Sequence, residues 1–467
     1  MAGAIALEEI FAAMRQACTA EPVPSLAIRR DRLERCIFLL RKAEDDICAA
    51  LSADYGSRPA IVTQLVEIGG AIAALRHAKA HLRRWARPRR ASAGFALWLG
   101  GARAQLEPVP KGLVGIVAPW NFPVQLTFSP LAAALAAGNR VMIKLPEATP
   151  LTSALIAELI DRHFAPDEVA VINGDSGVGA KFVSLPFDHI LFTGGAAVGR
   201  KVMAAASANL TPVTLELGGR SPVIILPDAD LRHTARSILS GKLLNAGQIC
   251  LAPDHVFVPE DMVEALVASL FAASREMLGK TGADALNSII SSDNARHLRG
   301  LVSDAQSRGA RIFELGFAHG ENQISPCLVV GARPGMAILQ EEIFGPLLPI
   351  IAYDDLGAVL SDISCQPHPL ALYIFGHDNR TIRHILDNTV SGGVTINDIL
   401  LHASSEGLPL GGIGESGMGV YRGKWGFDTF SHLRPVFRRG WLDAGKLLRP
   451  PYGKLASRAA RFLVHGR

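Results

Sequence analysis

Several things are scarce in this chain, and each scarcity excludes a class. Six cysteines are spread over 467 residues, at Cys18, Cys36, Cys48, Cys250, Cys327 and Cys365, with no CxxC pair and no dense framework. That spacing excludes a disulfide-stapled scaffold and fits reduced thiols in a cytoplasmic compartment. The apolar stretch at 94–102 is far too short to span a bilayer. The opening MAGAIALEEIF has no basic segment ahead of its apolar run, which Glu8 and Glu9 interrupt, so no signal peptide is read. Internal repeats and low-complexity tracts are lacking. Net charge is only +4, and nothing in that balance asks for nucleic acid. With 49% hydrophobic and 19% charged residues the chain is globular, and its length predicts two or three domains.

The positive charge is local. Residues 76–90 (RHAKAHLRRWARPRR) carry seven Lys/Arg and no acid, and 438–467 carry eight against Asp443 alone. A solvated helix face and a basic tail are the plain readings. The sharper one is attraction to an anionic membrane or an acidic partner, with 454–467 able to form a basic amphipathic helix. His77 and His81 have the i,i+4 spacing of a helical metal pair, but their charged neighbours are all cationic and no carboxylate ligand is near, so no catalytic metal is expected.

Residues 1–85 read as helices, with Leu33, Ile37, Leu40 and Ile47 at helical spacing. A Gly-rich hairpin or crossing segment follows at 92–109. From 112 onward short β-rich runs alternate with helical stretches, at 113–118, 126–137, 140–144, 153–163, 169–172, 190–193 and 213–217. A second such series runs from 256 to 397. Alternation of this kind predicts an α/β protein with two doubly wound α/β domains, Cys250 lying near the start of the second.

Two residues carry the chemistry. Cys250 lies in Asn245-Ala246-Gly247-Gln248-Ile249-Cys250, and Glu216 in Leu215-Glu216-Leu217-Gly218-Gly219. A thiol and a carboxylate among small residues suggest a nucleophile and a base with room for a substrate between them. A thiolate attacks a carbonyl well, and a carboxylate can activate the water that later releases the acyl group.

With its companion motifs, this pair resembles the aldehyde dehydrogenase superfamily over about residues 25–452, on the coniferyl-aldehyde branch that handles fatty and aromatic aldehydes. The supporting segments include 250–258 (CLAPDHVFV), 369–375 (PLALYIF) and 414–432 (GESGMGVYRGKWGFDTFSH). The resemblance implies an aldehyde dehydrogenase-like fold: a cofactor domain at 1–89 and 108–217, a catalytic domain at 218–415, oligomerisation and bridging elements at 90–107 and 416–440, and a basic tail at 441–467. It also implies a homodimer and NAD as cofactor, with NADP tolerated.

Residue by residue, Pro119-Trp120-Asn121-Phe122-Pro123 is similar to the oxyanion motif, so that Asn121 and the Cys250 amide supply donors to the developing charge. Lys144-Leu145-Pro146-Glu147 resembles the cofactor-ribose site, with Leu145 where proline is usual. A carboxylate at Glu147 accepts from ribose hydroxyls and repels a 2′-phosphate, which tilts the choice toward NAD. Phe192-Thr193-Gly194-Gly195-Ala196-Ala197-Val198-Gly199 resembles the pyrophosphate turn, Gly195 replacing the usual serine; Gly194, Gly195 and Gly199 are assigned to cofactor binding. In Glu341-Glu342-Ile343-Phe344-Gly345-Pro346, Glu342 is expected to hold the nicotinamide ribose and Phe344 to pack near the ring, with Trp120 beside them. The GxGxxG at 412–417 lacks a strand–turn–helix context and is read as a loop by the substrate tunnel. Phe122, Trp120, Phe128 and 399–408 are expected around the tunnel, with His402 and Leu410 near it.

Three rivals follow from the same residues. An acylating dehydrogenase is disfavoured by Glu216, and a non-catalytic relative by the full set of motifs. A cysteine hydrolase pairing Cys250 with His255 leaves the cofactor motifs unexplained. Within the dehydrogenase reading, aromatic or phenylpropenyl aldehydes come first and medium- or long-chain aliphatic ones second.

Overall fold

The computed structural model describes residues 2–279, 286–316, 318, 320–443, 445 and 449–466. Within the basic tail, 444, 446–448 and 467 therefore lie outside the described residues. Two large sheets and one small one organise the chain. A six-stranded sheet runs in the spatial order Gly417–Met418, Val213–Glu216, His189–Thr193, Leu113–Val117, Arg140–Lys144, Val169–Ile172. Its five long strands are parallel, and only Gly417–Met418 is antiparallel. A seven-stranded sheet takes Arg311–Glu314, Cys327–Val330, Leu347–Tyr353, His255–Pro259, Pro222–Ile225, Ala371–Phe375 and Gly393–Ile396, in that order. It is parallel except for its first pair.

These strands are β-rich apolar runs because helices cover both faces, so every side chain of Arg140–Lys144 and Ala371–Phe375 is buried. Helix Leu26–Lys42 begins where Ser25 accepts from the Ile28 amide, and Asp230 does the same for helix Leu231–Leu243. Helix Gln125–Ala137 stops at Gly138, which takes the left-handed conformation. The expected helical N-terminal region is present as Ala2–Ala20, Leu26–Lys42, Glu44–Tyr55 and Gly69–Trp85. A π-helical turn, Thr63–Ile68, leads into the last of these. His77 and His81 lie on it, their rings packed against each other and against Trp85.

The small sheet joins Arg89–Ala91, Arg103–Pro110 and Ser431–Arg438, all antiparallel. The sequence reading groups 416–440 with this flap, but Gly417–Met418 instead closes the edge of the six-stranded sheet, with Gly417 opposite Glu216. The GxGxxG at 412–417 is thus the approach to an edge strand. Gly417 has φ +155, and a Cβ there would sit 2.5 Å from the Leu215 carbonyl oxygen. No single helix among the described residues is long and apolar enough to cross a membrane.

Candidate active site

In an open parallel sheet, ligands gather beyond the carboxyl ends of the strands where the strand order reverses. Here that point is strand Leu113–Val117, whose neighbours on its two sides are Arg140–Lys144 and His189–Thr193. Pro119–Asn121 follow the first strand, Lys144 ends the second, Gly194 and Gly195 follow the third, and Glu216 ends the fourth. Side chains distant in sequence are thereby delivered to one rim.

A cleft of about 750 Å³ opens at this rim. Trp120, Asn121, Lys144, Glu147, Gly194, Gly195, Glu216, Cys250, Glu342 and Phe344 all line it. Gly199 stands behind the wall: a Cβ on it would meet the Leu217 side chain at 2.7 Å, so its role in the structure is close helix–strand packing. Leu217, Gly218 and Val198, which lie inside the quoted motifs, also line the cleft, as do Ser176, Gly179 and Lys201, which carried no motif that would flag them.

The cysteine is presented by an unusual turn. Asn245, Ala246 and Gly247 have φ +50, +53 and +70, three successive left-handed residues, costly for the two that are not glycine. Asn245 secures them by donating from Nδ2 to the Asn121 carbonyl at 3.1 Å and accepting from Asn287 at 2.9 Å. Gly247 packs so closely on the Glu342–Gly345 loop that a Cβ would lie 2.4 Å from the Gly345 carbonyl oxygen. Asn121 donates one N–H from Nδ2 to the Gln248 carbonyl at 3.1 Å. An amide nitrogen carries two, so one remains for a substrate oxygen.

A buried scaffold holds the Asn121 loop from below. Arg58 and Glu67 form an ion pair at 3.0 Å with both side chains fully buried. Glu67 accepts from the Val124 and Gln125 amides at 3.0 and 2.8 Å, at the start of helix Gln125–Ala137. Arg58 Nη1 donates to the Asn121 carbonyl, and the Tyr55 hydroxyl donates to the carbonyls of Trp120 and Asn121. Removing one partner of a buried pair leaves the other charge uncompensated. Arg58→Met is therefore expected to cost about 3–5 kcal/mol of stability, read as a lower midpoint in urea, together with a fall in kcat as Asn121 loosens. An unchanged midpoint would contradict this account.

Burial governs the charges. It pushes the Cys250 thiol up to about 12, and the Glu342 and Glu216 carboxylates push the same way. Glu216 is raised well above the usual carboxylate range by burial, and only Arg422 opposes the shift. Glu342 is raised to about 8 by burial, against the opposing Gly219 amide. Lys242, buried beside Asp254 and Glu342, is lowered to about 8 by burial and donates to the Gly345 carbonyl at 3.2 Å. Without cofactor, burial thus favours the protonated Cys250 thiol and pushes Glu216 toward its protonated form. Iodoacetamide labelling of the Cys250 peptide should then be slow at pH 7 and rise about tenfold per pH unit, since only the thiolate reacts, until the pH approaches about 12. NAD⁺ should accelerate labelling by bringing a cationic ring. A rate that levels off below pH 9 would show that the thiol is already ionised.

The rim fits a dinucleotide. Gly195 caps helix Ala196–Ser207 with no side-chain hydrogen bond, which leaves the first amides for an anion. A Cβ at Gly195 would meet nothing within 4 Å, so the missing serine is a loss of a hydroxyl and not a steric need. Glu147 is exposed at the mouth, 3.4 Å from Lys144 Nζ. Glu342 has a buried Oε1 with no partner. Cys250, Leu400 and Leu410 pack against a buried apolar cluster containing Phe122, Ile249, Tyr373, Ile399 and Ala403, so that Phe122 and Ile399, expected around the tunnel, are core residues that do not line the cleft. Phe128, expected near the tunnel, belongs instead to the fully buried core under the six-stranded sheet. His255 Nδ1 donates to the Asp254 carboxylate at 2.9 Å and lines a neighbouring cavity that Cys250 does not line, so the structure shows no hydrolase pairing with Cys250.

A family model described as "Aldehyde dehydrogenase family" matches residues 2–436. The chain is 42% identical over 461 residues to "Coniferyl aldehyde dehydrogenase" of a Pseudomonas species, covering 97% of this chain and 95% of that one. Its fold superposes with a TM-score of 0.92 on the substrate-bound state of Staphylococcus aureus AldH, at 34% identity, covering 97% of this chain and 99% of the other. An NAD⁺ complex of an aldehyde dehydrogenase from Bacillus cereus superposes with a TM-score of 0.82 at 25% identity, covering 93% and 89%.

Proposed function

Since the chain belongs to the aldehyde dehydrogenase family and oxidises aldehydes with NAD(P), we propose that its substrate is an aromatic or phenylpropenyl aldehyde of the coniferyl type, processed by Cys250, Asn121 and Glu216. The observation that carries this reading is the single cleft that Cys250, Asn121 and Glu216 share with the cofactor rim; the aromatic choice is supported by the 42% identity to the coniferyl aldehyde dehydrogenase.

Cys250 Sγ adds to the aldehyde carbon, and the oxygen that gains charge is met by the free Asn121 N–H and the Cys250 amide. Bound NAD⁺ supplies the hydride acceptor that raises the carbon to the acid oxidation level. Glu216 then takes a proton from water, the water oxygen bonds to the acyl carbon, and the Cys250 thiolate leaves. Aldehyde, NAD⁺ and water become carboxylate, NADH and two protons. Splitting the reaction at a thioester replaces one high barrier with two lower ones. Lys144, Glu147, Gly194, Gly195, Glu342, Phe344 and Trp120 would hold the cofactor, and the Glu147 carboxylate favours NAD over NADP at the ribose. Aliphatic aldehydes of medium or long chain are the second reading.

The test is NADH formation with coniferyl aldehyde, benzaldehyde, hexanal and acetaldehyde. Highest kcat/KM for coniferyl aldehyde is expected; a preference for hexanal would move the assignment to the aliphatic reading.

Six scattered free thiols support a reducing, cytoplasmic compartment. A homodimer is supported by the small sheet and by the free edge strand Gly393–Ile396 of the large one. Only monomer in equilibrium sedimentation at micromolar concentration would count against it.

A further inference from the structure

The C-terminal helix Lys454–His465 touches nothing that buries it: none of its residues is buried. Leu455, Phe462, Leu463 and Val464 are 71%, 63%, 82% and 73% exposed. At 100° per residue, Lys454, Arg458, Arg461 and His465 fall on one stripe, while Leu455, Ala456, Ala459, Phe462 and Leu463 share the opposite face. The polar stripe carries the cations Lys454, Arg458 and Arg461 and includes no acid. Asp443 pairs with Arg439 and Arg449 at 3.3 and 3.1 Å, and no salt bridge to a described residue engages Lys454, Arg458 or Arg461.

A second apolar surface lies where this tail leaves the body. Helix Phe95–Leu99 exposes Phe95, Trp98 and Leu99, with the Phe95 and Trp98 rings 6.3 Å apart. The Leu442 amide donates to the Gly100 carbonyl at 3.2 Å, which sets Trp441, 79% exposed, beside Gly101. Exposed Trp and Phe where the tail leaves the body, together with a helix of one apolar and one cationic face, are the features that an interfacial segment presents to lipid. Twelve residues make a helix of about 18 Å, too short to span a bilayer but suited to lie in its surface.

We propose that the tail helix and the Phe95–Trp98–Trp441 patch dock the enzyme on an anionic lipid surface. The apolar face enters the headgroup–acyl boundary, and the cationic stripe meets the lipid phosphates. Charge complementarity selects this occupant over a neutral membrane or a purely apolar protein groove. The inference is independent of which aldehyde the active site takes.

Co-sedimentation of the full chain with vesicles tests it, comparing pure phosphatidylcholine with a mixture containing phosphatidylglycerol, at low and high salt. Binding to the anionic vesicles alone is expected, with loss at high salt. Each cation near an anionic surface strengthens partition about fivefold, so Arg458→Glu with Arg461→Glu should weaken it by at least about tenfold. Leu455→Asp with Phe462→Asp should abolish it. Both pairs are exposed and remote from the cleft, and turnover of soluble aldehydes should stay unchanged. Equal binding to neutral vesicles, no binding, or binding that survives deletion of residues 441–467 would overturn the proposal. So would a tail variant that stops vesicle binding only by converting a dimer to a monomer, since the face would then belong to a second copy of the chain.

Discussion

Cys250→Ala is expected to lower steady-state NADH formation by about 10,000-fold or more, while leaving NAD⁺ binding intact. The size follows from its role: the sulfur forms the only covalent bond to substrate, and losing a nucleophile removes the route and not one contact along it. Binding should survive because Lys144, Glu147 and the Gly194–Gly195 turn sit on the six-stranded sheet, and the alanine keeps the backbone turn at Asn245–Gly247. Serine at the same position is the stricter control, since it preserves shape and a donor but not the acidity of a thiol. Turnover in Cys250→Ala within tenfold of the parent would transfer the nucleophile to another group.

Glu216→Gln separates the two halves of the reaction. Its first turnover should release about one equivalent of NADH per active site, and later turnovers should slow by about 100- to 10,000-fold, the range expected for loss of a general base. The enzyme should then carry an acyl mass on the Cys250 peptide. Glutamine conserves the volume of a fully buried side chain, so folding is spared. Burial raises the Glu216 carboxyl in the free enzyme, and hydrolysis should therefore rise with pH in the parent as it ionises. Arg422 favours the ionised form; replacing it with Gln should move that rise to higher pH. Slow release of the first NADH equivalent in Glu216→Gln would instead place Glu216 before the thioester.

Much of the fold could be read in advance for one reason. Fully buried parallel strands need unbroken β-rich runs, and the strands at 140–144, 169–172 and 371–375 stand where such runs do. The rim residues were legible through their resemblance to aldehyde dehydrogenase motifs, several of which stand at or just after strand ends here. What escaped was long-range. Glu67 is a lone acid in an apolar helix pattern and could have been marked as needing a buried partner, but nothing local identifies Arg58 or the amides of Val124 and Gln125. Lys242 looks like any helical lysine until it is seen under Gly345. The return of Gly417–Met418 to the six-stranded sheet involves two residues, too few for periodicity to show.

That return has a consequence for how the enzyme comes into being. Leu217 donates its amide to the Ser416 carbonyl at 3.1 Å, and Gly417 pairs with Glu216, so the edge of the Glu216 strand is closed by residues made long after that strand itself. Translation from Cys250 to Met418 takes roughly 10–30 s at ordinary ribosomal speed. During that interval the strand bearing Glu216 still lacks its edge. Pairing with Gly417–Met418, which needs synthesis well past Cys250, is what closes that edge.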